Sequence, residues 1–317
     1  MIVVSGADVR RLLPMGEAIE TVQNAMIAVA QGRAEMPLRT VLEIDGTNRL
    51  GVMPGSMRGP DVYGVKLISL FPGNPARGLS SHIGSMVIFD NDTGAVAAML
   101  DADALTAVRT AAASAAATRA LARDDAQVLA IIGTGEQALS HIEAMACVRD
   151  IALVRIAGRT PARAQEFVDR FGPGFDGLEI VAAPDAQSAV RGADIICTVT
   201  SSHTPVLLGD WVTAGMHVNA VGASLPSMQE IDEALLLKSA LFVDYRASAL
   251  AQACEIIGAI ESGQMHKAHI LAEIGQVFAG AVAGRSGRDA ITLYRSLGVA
   301  AQDLACAHKV LQRLAGG

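Results

Sequence analysis

The length, composition and charge of the chain exclude several classes of protein. It has 317 residues, a net charge of −7 at pH 7 and a pI near 5.5, so we expect two domains and no basic face for nucleic acid. Aromatic residues make up 3% of the chain, which is too few for a base-stacking platform.

Neither a membrane span nor a secretory signal is expected. The longest uncharged stretches, such as 211–229, contain Gly, Asn, Ser and Pro instead of a continuous apolar run. The N-terminal residues 1–13 lack the basic start and long apolar core of a signal peptide. We therefore expect a cytoplasmic protein with reduced thiols, because the cysteines are widely spaced and form no CxxC pair: Cys147, Cys197, Cys254 and Cys306.

The first part of the chain predicts a helix and then a mixed or antiparallel sheet. Apolar residues at near-helical spacing predict a helix over 7–31. Five apolar runs separated by Gly, Pro and Asn predict strands. An Ala-rich segment predicts a helix that leads into the next domain. The strands are expected at 39–44, 49–53, 62–71, 82–90 and 95–100, and the helix at 103–122.

A glycine-rich turn follows the next apolar run, in the segment QVLAIIGTGEQA. The strand 128–132 leads into Gly133 and Gly135, and a helical pattern continues from Ala138. Gly133 permits the tight turn, Gly135 lets the backbone approach a pyrophosphate, and Ala138 allows close helix–strand packing. This arrangement is the GxGxxA form of a dinucleotide-binding unit.

The end of the following strand indicates which dinucleotide binds. An NAD site usually has Asp or Glu about 20 residues past the glycines, but no carboxylate occurs in 151–165. Gly158 and Thr160 stand there with Arg159 and Arg163, which suit the 2′-phosphate of NADP. We expect NADP(H) rather than NAD(H), although two arginines on a solvated loop would look the same.

Strands and helices then alternate, which predicts a parallel doubly wound sheet. Further strands are expected at 179–182, 195–200, 217–222 and 241–244. An amphipathic helix over 299–314 falls outside this alternation, and we expect it to return to the first domain.

Three cations in apolar surroundings suggest a carboxylate ligand. Lys66 interrupts the strand VYGVKLISLF and shares a face with Gly64 and Ile68. Arg39 lies in a similar strand, and Arg109 lies in a helix of small residues. Arginine can bind both oxygens of a carboxylate, but each cation taken singly is equally consistent with a structural ion pair.

His266, His269 and Glu273 have a possible metal-ligand spacing. No other candidate ligand converges on them, so a polar helix start is the better interpretation and no metal site is predicted.

Motifs along nearly the whole chain carry a family resemblance. The chain resembles the ornithine cyclodeaminase and mu-crystallin family, which implies a Rossmann domain (119–293) joined to a second, α+β substrate and dimerisation domain built from both chain ends (1–118 and 294–317). It also implies a homodimer. The matching segments are MPLRT (36–40), GVMPGS (51–56), GVK (64–66), LTAVRTAAASA (105–115), GTGEQA, GRT, TVTSS (198–202), NAVGAS (219–224), EID (230–232), AEIG (272–275) and SLG (296–298).

The same resemblance implies roles for individual residues. Arg39, Lys66 and Arg109 would contact the substrate carboxylate, with Lys66 also near the reacting carbon. Ser81, His82 and Thr110 match positions near the cofactor or the substrate, although a lone strand histidine is often a hydrogen-bonded core residue. The remaining expected cofactor contacts are Gly133, Gly135, Glu136, Gln137, Gly158, Arg159, Thr160, Arg163, Thr200, Ser201, Val221, Gly222 and Gly298.

The chain departs from the cyclodeaminating members of this family at Ser224. Those members carry an aspartate there that engages the side-chain amine of the substrate, and no acid occurs in this chain between Ser224 and Glu230. A serine hydroxyl can neither attract an ammonium group nor deprotonate it. The mu-crystallin-like branch has serine at this position and resembles a ketimine reductase.

These observations predict an NADPH-dependent reductase of a small, cyclic imino acid. Δ1-Pyrroline-2-carboxylate or Δ1-piperideine-2-carboxylate would yield proline or pipecolate. The open alternatives are ornithine cyclodeaminase, an alanine dehydrogenase-like reductive amination, and a protein that binds NADPH or a small ligand without turnover.

Overall fold

The chain folds into two units, each built around its own β-sheet. The computed structural model describes residues 1–316, apart from the side chain of Pro75. One unit contains residues 1–110 and the chain from Val299 onward, and the other contains residues 111–298. The division falls within a helix and just before the last helix, whereas the sequence places the domain boundaries at 118/119 and 293/294.

The first unit contains a seven-stranded sheet in the order β1-β7-β6-β5-β4-β2, with β3 also paired to β4. Only the β1–β7 pair is parallel. The strands are β1 (Ile2–Val4), β2 (Ala34–Glu35), β3 (Thr40–Glu43), β4 (Arg49–Met57), β5 (Val62–Leu70), β6 (His82–Phe89) and β7 (Val96–Asp101), with a 3₁₀ turn at Asn74–Arg77.

The N-terminal helical segment is two helices and not one. Helix α1 (Gly6–Leu12) ends before Pro14, and α2 (Met15–Ala30) begins directly after it. Proline has no N–H to donate and restricts the residue before it, so it is tolerated only at a helix start. The expected single helix over 7–31 is wrong for this reason. Helix α3 (Ala102–Leu121) follows the sheet and continues into the second unit.

The second unit is an eight-stranded parallel sheet in the order β10-β9-β8-β11-β12-β15-β13-β14, which confirms the doubly wound α/β class. Its strands are β8 (Val128–Ile132), β9 (Leu153–Ala157), β10 (Glu179–Ala182), β11 (Ile195–Thr198), β12 (His217–Ala220), β13 (Ala240–Val243), β14 (Ile270–Glu273) and β15 (Thr292–Arg295). Its helices are α4 (Glu136–Ala146), α5 (Pro161–Phe171), α6 (Ala186–Val190), α7 (Glu233–Lys238), α8 (Arg246–Gln252), α9 (Cys254–Glu261) and α10 (Ile274–Phe278), with 3₁₀ turns at Gly172–Gly174, Gly209–Trp211 and Lys267–His269.

The last helix, α11 (Ala300–Gly316), belongs to the first unit and packs on α2, β4 and β5. Two paired glycines, Gly55 and Gly64, lie beneath it. A Cβ at Gly55 would lie 3.0 Å from the Cβ of Ala300. One at Gly64 would lie 2.2 Å from the carbonyl oxygen of Val87 in the sheet and 3.3 Å from Leu304 Cδ2. The absence of side chains at these positions therefore lets α11 approach the sheet closely.

None of the helices in residues 1–316 combines the length and apolar character needed to cross a bilayer. The four cysteines are free thiols, of which Cys197 and Cys306 are buried and Cys147 is exposed. Burial raises the pKa of Cys197 to about 12, so this thiol stays protonated and unreactive at neutral pH.

Two arginines bind the carbonyl groups at the C-terminus of α3. The guanidinium of Arg149 donates to the carbonyls of Thr118, Ala122 and Arg123, among others, at 2.8–3.2 Å. Arg285 donates to the carbonyl of Leu121 at 2.7 Å. The last carbonyls of a helix lack partners within it and carry partial negative charge, so these cations stabilise the end of the helix.

Replacing Arg149 tests this role. Arg149→Met removes the charged donors and leaves several carbonyls without partners, so we expect the free energy of unfolding to fall by about 2 kcal/mol or more. Denaturant unfolding measures the effect. Arg191→Met, which changes an exposed arginine, is the control, and equal stability of the two variants would contradict the prediction.

Candidate active site

The first unit contains a buried cluster of three charged side chains from three different elements. Lys66 projects from β5, Arg109 from α3 and Asp303 from α11, and all three are at most 5% exposed. Lys66 Nζ donates to both carboxylate oxygens of Asp303, at 2.9 and 3.0 Å. Arg109 Nε donates to Asp303 Oδ1 at 3.0 Å. One carboxylate thus contacts both cations.

Each of these cations also forms a hydrogen bond with a neutral side chain. Lys66 Nζ also lies 3.4 Å from the hydroxyl of Thr106, and Arg109 Nη1 donates to Gln302 Oε1 at 3.0 Å. Neither contact of Arg109 uses Nη2. The Nη2 amino group is therefore the part of Arg109 suited to a ligand.

The cluster carries two positive charges and one negative charge when all three groups are ionised. Burial, together with the charges of Arg109 and Arg39, lowers the pKa of Lys66 to about 7 against the opposing effect of Asp303. Burial alone would raise the pKa of Asp303, but Arg109 and Lys66 hold it below its usual value. At neutral pH the ammonium form of Lys66 is therefore only marginally stable, and a second anion beside it would stabilise that form.

Other residues expected at the substrate site lie in the same unit. Arg39, half-buried just before β3, is near enough to influence the pKa of Lys66. Burial and the charge of Lys66 lower the pKa of His82 against the opposing charge of Asp103, so His82 is neutral at pH 7. Ser81 Oγ lies 2.9 Å from His82 Nδ1. The hydroxyl of Thr110 is buried and has no hydrogen-bond partner among the described residues.

In the second unit the glycine-rich turn joins β8 to α4. Gly133 has a φ of 130°, and a Cβ there would lie 2.8 Å from the carbonyl oxygen of Val199. Gly135 faces open space and begins α4 without a capping hydrogen bond from any described side chain. Gln137 follows with its buried Oε1 unpartnered within residues 1–316. Exposed N–H groups at a helix start are suited to phosphate oxygens.

The end of β9 leads into the second loop expected to bind the cofactor. Thr160 begins α5, and its hydroxyl oxygen accepts from the backbone N–H of Arg163. Arg159 and Arg163 are both exposed. A Cβ at Gly158 would lie 3.0 Å from Thr134 Cγ2, so this glycine allows the two loops to approach each other.

A buried carboxylate, Glu230, joins the loops that follow β11 and β12. Its Oε1 accepts from the N–H and hydroxyl of Thr200, at 2.5 and 2.7 Å. Its Oε2 accepts from the N–H groups of Gly222 and Ala223 and from the hydroxyl of Thr198, at 2.6–3.2 Å. Burial raises the pKa of Glu230, although these hydrogen bonds oppose the rise.

Glycine is required at position 222 because the two loops approach each other closely there. A Cβ there would lie 2.0 Å from the carbonyl oxygen of Thr200. The segments that contain Thr200, Ser201, Val221 and Ser224 therefore have a fixed geometry at the carboxyl end of the sheet, where open α/β sheets bind ligands.

Further buried charges fix the neighbouring turns. Asp244 Oδ2 accepts from the N–H groups of Leu297 and Gly298, both at 2.6 Å. Arg295 forms a buried ion pair with Glu255 and donates to the carbonyl of Ala223. The side chain of Asp244 thus holds the backbone of Gly298. Arg295 holds the backbone of Ala223, which precedes the half-buried Ser224.

Sequence reasoning missed Asp303, Gln302 and Glu230. Asp303 lies on the buried face of an amphipathic helix, where an aspartate is rare unless it is paired. That position was the available signal, but it does not identify the partner. In the sequence, Glu230 stands out only as the first acid after Ser224 and as part of the EID segment, and neither feature identifies its partners.

Two of the three residues with a possible metal-ligand spacing, His269 and Glu273, have separate partners. Glu273 begins α10 in a capping box with Gln276, and His269 Nε2 contacts the carbonyl of Leu236 at 3.0 Å. In the part of the chain that the structure describes, no group of three or more His, Cys, Asp or Glu side chains is arranged to hold a metal ion.

Comparisons with known proteins extend over the whole length of the chain. The chain is 35% identical to the mouse (Mus musculus) protein named ketimine reductase mu-crystallin over 287 residues, which cover 90% of this chain and 87% of that protein.

Two solved structures are also similar. A Δ1-pyrroline-2-carboxylate reductase of Thermococcus litoralis, in complex with NADH and L-proline, matches with a TM-score of 0.96 and 33% identity, covering 100% of this chain and 98% of the other. An archaeal alanine dehydrogenase dimer with bound NAD matches with a TM-score of 0.91 and 34% identity, covering 100% and 96%. The model of the ornithine cyclodeaminase/mu-crystallin family matches residues 1–317, and the chain belongs to that family.

Proposed function

We propose that this protein is a nicotinamide-dependent reductase of a small imino acid, with NADPH as the preferred cofactor. The substrate class is that of Δ1-pyrroline-2-carboxylate and Δ1-piperideine-2-carboxylate, and the products are proline and pipecolate. Support comes from the relatives named for reduction of such substrates and from the charge of the buried cluster in the first unit.

The observation that carries this proposal is the excess of positive charge around Asp303. Lys66 and Arg109 place two cations against one carboxylate in a buried position. Isolated buried charge is costly, so a ligand carboxylate that contacts Arg109 and Arg39 would neutralise the cluster. In this proposal Lys66 contacts the imine end of the substrate, and His82 and Ser81 contribute neutral hydrogen-bonding groups beside it.

The second unit suits a dinucleotide. The close approach at Gly133 and the open space at Gly135 match what a bound pyrophosphate requires. The unpartnered amide oxygen of Gln137 is an acceptor, which suits a hydroxyl or amide donor of the cofactor and not a phosphate oxygen. Glu136, Thr200, Ser201, Val221 and Gly298 are proposed as further contacts, with Thr110 contributing its unpartnered hydroxyl. When bound, the nicotinamide supplies the hydride that reduces the C=N carbon.

Selectivity for NADP(H) is proposed from the loop after β9. Arg159 and Arg163 are exposed there, and the residues 151–165 include no carboxylate that could bind a ribose 2′-hydroxyl. Charge-assisted contacts from both guanidinium groups would bind a 2′-phosphate.

Ser224 argues against cyclodeamination. It offers a neutral hydroxyl in a segment that the contacts to Glu230 and Arg295 hold in place. Release of ammonia from ornithine requires that the terminal amine be attracted and deprotonated, for which a carboxylate is suited and a hydroxyl is not. Reductive amination of the alanine dehydrogenase type stays a second candidate because of the similar archaeal structure.

We also propose that the protein is a homodimer in the cytoplasm. In the first unit, cross-strand pairing aligns Leu42, Leu50, Ser69 and Ile83 in one row on β3 to β6. A neighbouring row contains Thr40, Val52, Leu67 and Ser85. Neither row contains a charged residue, and Leu42, Leu67 and Ile83 are 36–58% exposed. An apolar face of this kind suits a second copy of the same face. The similar archaeal structure is a dimer.

Turnover assays test the proposed reaction. With NADPH, we expect a cyclic imino acid to be reduced, as followed by loss of nicotinamide absorbance, and we expect no ammonia from ornithine. Arg109→Leu should raise KM or abolish turnover while NADPH binding is retained, because the lost contact is to the substrate. Conversion of ornithine to proline at about 1 s⁻¹ or faster would contradict the proposal, and faster turnover of pyruvate with ammonia would favour the alanine dehydrogenase alternative.

Cofactor selectivity is tested at Arg159. Arg159→Ala should weaken NADPH binding about tenfold or more, since a charged hydrogen bond contributes about 1.5–3 kcal/mol, and should leave NADH binding nearly unchanged. Arg170→Ala, which removes a cation from the other end of α5, is the matched control. Titration calorimetry with both cofactors measures the constants, and equal losses for NADPH and NADH would argue against a 2′-phosphate site.

The dimer is tested by placing a charge on the apolar sheet face. Leu67→Glu should convert the dimer to a monomer, because desolvating unpaired carboxylates across the symmetry axis is unfavourable. Light scattering after gel filtration measures the mass. Leu271→Glu, at an exposed leucine of β14, should remain dimeric, and an unmodified protein that is monomeric would refute the assembly.

A further inference from the structure

The carboxylate of Asp303 contacts two of the three proposed substrate-binding cations, Lys66 and Arg109. It lies 237 residues from Lys66 and 194 residues from Arg109 in the chain. It is fully buried, and both of its oxygens accept from Lys66. Asp303 therefore has no oxygen free of protein contacts with which to reach a ligand.

The position of Asp303 is set by the packing of α11. Leu304, the next residue, lies over the paired glycines of β4 and β5, at 3.2 Å from a Cβ placed on Gly55. Lys66 is two residues from Gly64 and shares its side of β5. The close approach of the helix thus brings the carboxylate beside the ammonium group with little freedom to move.

Among the charges with the largest effects on Lys66, two arginines oppose its protonation and the carboxylate of Asp303 favours it. Arg109 on α3, Arg39 before β3 and burial all lower the pKa of Lys66, whereas Asp303 on α11 raises it. His82 on β6 is neutral at pH 7 and adds no charge, and Thr106 offers a hydroxyl only. Removal of Asp303 would therefore lower the pKa of Lys66 below about 7 and favour the neutral amine at physiological pH.

Asp303 also sets the direction of Arg109. Its Oδ1 holds Nε, and the neighbouring Gln302 holds Nη1. Two adjacent residues of one helix therefore hold two of the three guanidinium nitrogens. Neither of these contacts uses Nη2.

We propose that Asp303 is a positioning residue for the imino acid reduction, which holds Lys66, favours its ammonium form and orients Arg109 toward the substrate carboxylate. This inference rests on the proposed function, since it assigns a role at the same site. Asp303 stays ionised throughout and exchanges no proton with the substrate. Its contribution to the reaction passes through Lys66 and Arg109.

The alternative is that Asp303 only holds the fold together. Both roles predict a loss of stability in a variant, so melting temperature cannot separate them. They differ in pH dependence, because a positioning charge moves the protonation of Lys66 and a structural contact lowers activity equally at every pH.

Lys66 can be observed directly, because the chain has only four lysines: Lys66, Lys238, Lys267 and Lys309. Labelling lysine at ¹³Cε gives few NMR signals, and the signal that disappears in Lys66→Arg assigns Lys66. In the unmodified protein we expect this signal to titrate near pH 7. In Asp303→Asn, which keeps the shape and removes the charge, the midpoint should fall by about one pH unit or more.

Kinetics provide the second measurement. For Asp303→Asn, kcat/KM for the imino acid with NADPH should fall about tenfold or more at pH 8 and less at pH 6, because acid restores the ammonium form. Gln302→Leu is the matched control, since it removes a neutral contact of Arg109. It should raise KM while the Lys66 midpoint stays at its original pH.

Each outcome decides the matter. An unchanged Lys66 midpoint in Asp303→Asn, or a loss of kcat/KM that is equal at all pH values, would overturn the role of Asp303 while leaving the reductase proposal intact. An unmodified protein that reduces no imino acid would refute the proposed function instead. If Asp303→Asn fails to fold, Asp303→Glu keeps the charge and should retain the Lys66 midpoint with lower kcat/KM. Failure of both variants to fold would assign Asp303 to the fold alone.

Discussion

The buried ion cluster of the first unit rests on a single carboxylate. Lys66 and Arg109 lie at buried positions of a strand and a helix, where apolar side chains would be expected. Burying two cations without an anion would be prohibitive, and Asp303 makes it tolerable. The compensation is incomplete, because one positive charge remains in excess. That excess supplies affinity for a carboxylate ligand, so the same electrostatic imbalance that costs stability creates the proposed site.

Buried carboxylates also stabilise the loops at the carboxyl end of the parallel sheet in the second unit. Loops that must hold a ligand in a fixed geometry expose backbone N–H groups, and buried acids bind these groups. Glu230 joins the loops after β11 and β12, and Asp244 holds the turn before Gly298. The loops are therefore ordered by their own hydrogen bonds, and little further ordering should be needed when a cofactor binds.

Glycines let backbone segments approach each other closely at the same places where these buried charges lie. Gly222 and Gly133 allow neighbouring loops to meet at distances that any Cβ would prevent. Gly55 and Gly64 lie beneath the last helix of the first unit, where a Cβ would come within 3.0–3.3 Å of Ala300 and Leu304. The same helix carries Asp303 to Lys66, so its close packing on the sheet supports the ion cluster.

Local patterns in the sequence determined most of the elements and the fold class. Period-2 alternation placed Lys66 on the buried face of its strand with Gly64, and the GTGEQA segment located the turn between β8 and α4, because both signals depend only on neighbours in the chain. The helix break at Pro14 was open to the same kind of reasoning and was overlooked. The short strands β14 and β15 were missed, and the place of β15 between β12 and β13 could not be predicted, because strand order is decided by long-range pairing. The partners of the charged residues were likewise decided only by tertiary structure: Asp303 meets Lys66 across 237 residues, and Glu230 meets Thr198 across 32. A sequence shows which charges must be buried, but the packing of helices and loops selects the group that compensates each of them.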